Sequence, residues 1–153
     1  MYERVLVPTD GSDAAAAAAE HAIDIASAYG ATVHALYVAD VRMSPISTGM
    51  DREAVRDLLD RSNRDPTGAV RERADAAGVP VVEALRIGVP HEAIGAYVDD
   101  HDVDLVVMGT HGRTGLERTM LGSVTERVLR TVDAPVLTVR GEAASTPDGR
   151  PSG

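Results

Sequence analysis

Short unbroken apolar runs alternate along this chain with longer stretches in which apolar residues return every three or four positions. The apolar runs are 4–7 (RVLV), 32–38 (TVHALYV), 79–85 (VPVVEAL), 104–108 (DLVVM) and 135–139 (PVLTV). None shows the strict apolar–polar alternation of a strand with one wet face, so each reads as a strand covered on both sides. Between them, residues 12 to about 29, 90 to about 101 and 123 to about 132 carry helical spacing, and 51–77 is mostly helical. Gly30 and Gly78 close the first stretch and the 51–77 region, while Pro45 and Gly49 mark a loop. Six consecutive alanines, 14–19, fall in the first helix; alanine is the best helix former, so the run reads as a tightly packed helix. Asp65-Pro66-Thr67-Gly68 interrupts the 51–77 region. Proline removes an N–H and clashes with the preceding turn, which predicts a kink or two helices there.

Five strands joined by helical crossovers imply a parallel sheet with helices on both faces, a single doubly wound α/β domain over 1–140. The last residues, 141–153, are small, polar and proline-bearing, and are expected to form a disordered tail. The pattern leaves two sheet orders open, 2-1-3-4-5 and 3-2-1-4-5. In either, ligands bind at the carboxyl ends of strands where the order reverses. The second order sets the first and fourth strands side by side. Pro8-Thr9-Asp10-Gly11-Ser12 would then face Met108-Gly109 across one crevice.

Composition narrows the chemistry. Hydrophobic residues make up 44% of the 153, yet aromatics are 3% with no Phe or Trp, so Ala, Val, Leu and Ile must build the core. There is no Cys, which removes disulfides, thiolate catalysis and cysteine metal sites. No apolar run approaches the ~20 residues of a membrane span, and MYERVLVPTD lacks the basic start and apolar stretch of a signal peptide. A cytoplasmic protein that meets no membrane is expected. Acidic residues outnumber basic ones 24 to 15, for a net charge of −9, and every basic residue is Arg. That balance opposes nucleic-acid binding, which depends on cations neutralising phosphate. A Lys-free, acidic, Ala-rich chain fits a cell with high internal salt, though a GC-rich genome alone also favours Arg and Ala.

The chemistry concentrates between Val103 and Val139. Gly109 ends a strand, Gly112 and Gly115 follow in a loop, and Gly122-Ser123 opens a helix. Glycines let backbone N–H groups approach a ligand closely, and a helix start adds unpaired donors with a partial positive charge. Together they make a place for phosphate. Taken by itself the stretch reads slightly better as a strand end, two turns and a helix capped by Ser123, since Ser123-Val-Thr-Glu126 reads as a capping box; its place at the crevice of the second sheet order turns the balance to phosphate. A Walker-type loop is excluded because it needs a lysine, and no G-x-G-x-x-G fingerprint is present. His21, His34, His91, His101 and His111 show neither H-x-x-x-H nor H-E-x-x-H spacing, so solvated or capping roles suffice for them. Asp99-Asp100-His101-Asp102 lies at the amino end of a strand, where helix-end and turn chemistry accounts for it. Ser12 has no G-x-S-x-G elbow around it and reads as a helix cap.

Gly109-x-x-Gly112, nine residues, then Gly122-Ser123-Val124 resembles the ATP-binding signature of the universal stress protein family. The opening VLVPTDGS, the strand end Leu36-Tyr37-Val38 and the closing Ala134-Pro135-Val136-Leu137-Thr138-Val139 match that family in order and spacing, over nearly all of 2–140. The resemblance implies a single open five-stranded parallel sheet in the order 3-2-1-4-5. This is a Rossmann-like fold of the adenine nucleotide alpha hydrolase type. It also implies ATP as ligand, with Mg²⁺, in a nucleotide-dependent stress-response switch or sensor. Carried over by position, Pro8, Thr9 and Asp10 line the nucleoside side, with Asp10 also a partner for a phosphate-bound metal. Val38 meets the adenine through its backbone, and Met108 and Gly109 flank the ribose. Gly112, Gly122, Ser123 and Val124 hold the phosphates, and Arg113 is placed to reach a terminal phosphate or, equally, to stand as a solvated surface residue. Homodimerisation is implied through the fifth strand, with Val136, Leu137 and Val139 at the contact. The Asp65–Gly68 interruption departs from the long helix usual in the family, which touches the outer face beside the second strand and not the phosphate loop. A slow ATPase, or a phosphoryl or nucleotidyl transferase, is the alternative reading. Asp10 with a metal and Arg113 supply only fragments of the constellation that hydrolysis requires, and no catalytic residue is assigned.

Overall fold

A computed structural model describes residues 2–42, 50–110 and 122–140. The elements run β1 (Arg4–Pro8), α1 (Asp13–Tyr29), β2 (Thr32–Asp40), α2 (Arg52–Arg61) and α3 (Gly68–Ala77). They continue with β3 (Val81–Gly88), α4 (Pro90–His101), β4 (Leu105–Gly109), α5 (Ser123–Thr131) and β5 (Val136–Val139). One sheet holds all five strands in the order β3-β2-β1-β4-β5, every pair parallel. Of the two orders open to the hydrophobic pattern, 3-2-1-4-5 is the one formed.

Each central strand buries both faces. Val5, Val7, Val33, Ala35, Leu105 and Val107 point to one side, where they pack against α1 (Ala18, Ala19, Ala22, Ile23, Ala26) and α3 (Val70, Ala74). Leu6, Leu36, Val106 and Met108 point to the other, against Ile94, Tyr97 and Val98 of α4 and Val128 of α5. Complete burial of one Val, Leu or Ile stabilises by about 1.5–3 kcal/mol, so a core without Phe or Trp still assembles from many such contacts. The alanine run does what small side chains allow: Ala14, Ala15, Ala18 and Ala19 are all buried, and α1 lies close upon the sheet.

The largest departures from the hydrophobic pattern are at the two ends of the third strand. The third strand begins at Val81 and runs on to Gly88, three residues past Leu85. Pairing decides this: β2 continues to Asp40, and its register carries Val38↔Arg86, Ala39↔Ile87 and Asp40↔Gly88. At the other end Pro80 has no N–H to offer a ladder, though its carbonyl accepts from Val33 N at 2.9 Å. The proline interruption yields two helices, α2 and α3, with Asn63 in left-handed backbone between them (φ 57°).

Candidate functional site

The β1–α1 turn is fixed by its own side chains. Thr9 N donates to Leu36 O at 2.8 Å, joining the end of β1 to β2. The buried Thr9 hydroxyl donates to Pro66 O (3.2 Å) and accepts from Gly11 N (3.2 Å). The Asp10 carboxylate accepts from Ser12 N at 2.9 Å, and Gly11 takes the left-handed backbone (φ 81°) that the turn demands. Ser12 caps α1, its hydroxyl accepting from Ala15 N at 3.2 Å. The Thr9–Pro66 bond was not foreseen: the α2–α3 junction reaches the turn next to the expected nucleoside side, and not only the outer face of the sheet.

At the end of β4 the chain is pressed against α1. A Cβ on Gly109 would lie 2.7 Å from both the Cβ and the carbonyl oxygen of Ala14, so helix packing already requires glycine there. The Met108 side chain is buried in the core facing α4 and α5, which leaves its main chain for the crevice. Val38, half-buried, packs against the edge of that same core. Asp40, farther along β2, is held by Arg42 through two side-chain bonds of 2.9 and 2.8 Å; these bonds keep its carboxyl below its ordinary value.

The start of α5 corrects the capping expectation. Gly122, in extended backbone (φ −65°, ψ 155°), is the cap, Ser123 is the first helical residue, and among the described residues no side chain caps the helix. Glu126 does not reach back as a capping box requires; its carboxylate pairs with Arg130 at 3.1 Å. The first helical bond runs from Glu126 N to Gly122 O at 3.0 Å. Side chains therefore leave the first-turn amides of Ser123 and Val124 uncapped, with the positive end of the helix dipole behind them. Three bonds fasten this helix start to the sheet: Gly122 N to Thr110 O, Thr110 N to Val139 O (3.0 Å), and the Thr125 hydroxyl to Gly109 O (2.8 Å).

The fold thus assembles Pro8 at the end of β1 with Thr9 and Asp10 just beyond it, Val38 near the end of β2, Met108 and Gly109 at the end of β4, and Gly122, Ser123 and Val124 at the start of α5. The strands concerned are neighbours and parallel, so these residues share one edge of the sheet, where the chain order reverses between β1 and β4. An uncapped helix start at such an edge suits an anion. Gly112 and Arg113 lie outside the described residues, as do Gly115 and His111. Sequence reasoning passed over Thr125; its signal was a poor helix former in the first turn, three residues before the apolar Val128. It also misjudged His34, which is neither solvated nor a cap. His34 is buried, its Nδ1 2.7 Å from the Tyr97 hydroxyl, because an even position in β2 points into the α4 face. The acidic cluster at the end of α4 does serve helix-end chemistry: Asp102 is the left-handed C-cap (φ 51°), and Asp100 pairs with Arg86 at 3.3 Å.

Comparison with known proteins agrees with this architecture. A family model described as the universal stress protein family matches residues 1–140. A universal stress protein of Methanocaldococcus jannaschii (MJ0531) is 40% identical over 144 residues, covering 92% of this chain and 83% of the relative. The solved structure of the MJ0577 protein superposes with a TM-score of 0.78 at 30% identity, covering 94% of this chain and 99% of that one. A universal stress protein solved in complex with cAMP gives a TM-score of 0.70 at 29% identity, covering 92% and 99%.

Proposed function

The chain belongs to the universal stress protein family, and from that premise we propose that it binds ATP with Mg²⁺ as a cytoplasmic, nucleotide-dependent stress-response switch. The observation that carries the reading is the start of α5, capped by no side chain among the described residues and fastened beside the end of β4. It faces a sheet edge that also holds the Pro8–Asp10 turn. A relative of the same fold has been solved with a cyclic adenine nucleotide, which supports the adenine part of the ligand. In this reading the phosphates lie on the amides of Ser123 and Val124 and on the Ser123 hydroxyl, beside Gly122, with Gly112 and Arg113 contributing from the glycine-bearing segment. The ribose lies along the main chain of Met108 and Gly109. The adenine meets the backbone of Val38, and Pro8 and Thr9 close the nucleoside side. Asp10, already in a turn that fixes its carboxylate, is the residue for a phosphate-bound Mg²⁺. β5 stands at an edge of the sheet with Leu137 exposed. A bare edge invites pairing, so we assign the homodimer contact to β5.

Thermal melting tests the reading. A ligand at 100 times its Kd stabilises by about 2.7 kcal/mol, so ATP is expected to raise the melting temperature of the wild type by several degrees. Gly122→Val, which sets a branched side chain at the helix cap, is expected to remove that shift. A wild-type protein whose melting is indifferent to ATP contradicts the proposal.

A further inference from the structure

Thr125 stands third in α5, a position from which a hydroxyl ordinarily bonds within its own helix or turns to water. Here it is 4% exposed and donates out of the helix, to the carbonyl of Gly109 sixteen residues earlier, at 2.8 Å. Gly109 is the last residue of β4 and is itself immobilised, closed on one side by Ala14 of α1 and paired in register with Val139 of β5. The hydroxyl therefore ties α5 to the end of β4 at the point where α1 already closes on the strand. One turn farther along, Val128 is fully buried in the core beneath α4 and α5. Thr125 and Val128, three apart, share a helix face, so one polar and one apolar anchor fix the position and the rotation of α5 together. First-turn N–H groups point along the helix axis towards its start. Whatever fixes the axis fixes their aim. The same bond gives the terminal β4 carbonyl a donor.

We propose that Thr125 is a positioning residue for polyphosphate: by bonding Gly109 it aims the uncapped amides of α5 and confers the part of the affinity that the phosphates supply. The proposal rests on the nucleotide reading above. It assigns Thr125 no contact with the ligand. It distinguishes two parts of the affinity. The nucleoside part comes from β1, β2 and the end of β4 and does not depend on Thr125. The phosphate part does.

Calorimetric titration of the full chain with ATP and with adenosine, each for wild type, Thr125→Val, Thr125→Ala and Thr125→Ser, separates them. Valine keeps the volume and alanine favours the helix, so a folded hydroxyl-free protein is available from one or the other, as checked by circular dichroism. Both are expected to bind ATP about tenfold more weakly, the scale of one misdirected charge-assisted hydrogen bond, with adenosine affinity unchanged. Serine, which restores the hydroxyl, is expected to recover the wild-type ratio of ATP to adenosine affinity. A merely structural residue would weaken both ligands alike, and that result overturns the proposal. So does an unchanged ratio in the hydroxyl-free variants, which would leave the nucleotide reading standing. Wild-type protein that binds neither ligand overturns both together.

Discussion

At the scale of single residues, one atom often serves packing where the sequence pointed to ligand. Gly109 was legible as a glycine that matters, but as a place for a ligand to approach. The geometry adds a nearer cause, since Ala14 occupies the space of its missing side chain. That could not be read from spacing, because it depends on how closely an alanine-faced helix settles on the sheet. Gly109→Ala is accordingly expected to cost about 1–3 kcal/mol of stability through overpacking, measured by urea denaturation without any nucleotide; an unchanged midpoint would contradict the close approach of α1. His34 offers a second test. Burial first, and then the charges of His101 and Arg4, hold its pKa below the ordinary 6.5. The unfolded chain takes up this proton near 6.5, whereas the folded chain does so only at lower pH. Stability is therefore fully present above 6.5 and declines as pH falls from there towards the folded value. One such proton gives a slope of at most about 1.4 kcal/mol per pH unit. Unfolding free energies between pH 7 and pH 5 are expected to fall less steeply in His34→Gln than in the wild type. Equal slopes would exclude His34 as the source.

At the scale of elements, the strands and helices were legible wherever period and punctuation agreed. The alanine helix, its Ser12 start and its Gly30 end all stand as the pattern implies, with Gly30 in left-handed backbone (φ 69°). The Asp65–Gly68 break produced two helices, as a proline requires. What the pattern missed was set by partners elsewhere in the chain. β3 extends to Gly88 because β2 extends to Asp40, and Thr9 is bound by a junction 57 residues away. The start of α5 is the instructive case. The sequence Ser123-x-x-Glu126 fits a capping box, but Gly122 takes the extended conformation and shifts the helix start by one residue. A local rule failed at the place where the family signature locates phosphate, and the failure leaves the amides uncapped. The contrast with α1 can be measured. Ser12→Ala removes a working cap, so it is expected to cost about 1 kcal/mol, whereas Ser123→Ala, with no cap to lose, is expected to leave the melting temperature of the ligand-free protein nearly unchanged. Equal losses in the two variants would show that Ser123 caps after all.

At the scale of the whole molecule, periodicity gave an open parallel sheet but not its order. Both candidate orders are compatible with the same apolar runs, and only the family resemblance distinguished them ahead of the structure. The proposed site depends on that order, because β1 and β4 must be neighbours for the Pro8–Asp10 turn and the end of β4 to share an edge. Charge acts at this scale too. A net charge of −9 on a chain without lysine repels itself, and salt screens that repulsion. The melting temperature is expected to rise between low and molar KCl; a flat response would remove self-repulsion as a determinant of stability. The central claim is that main-chain amides, with no lysine to assist, receive the phosphates of an adenine nucleotide at the reversal of strand order. A crystal structure of the protein grown with ATP and Mg²⁺ tests it most directly. The expected density places phosphate oxygens within hydrogen-bond distance of the Ser123 and Val124 amides and adenine against the Val38 backbone, whereas ATP bound elsewhere, or that edge closed by protein atoms, would contradict it.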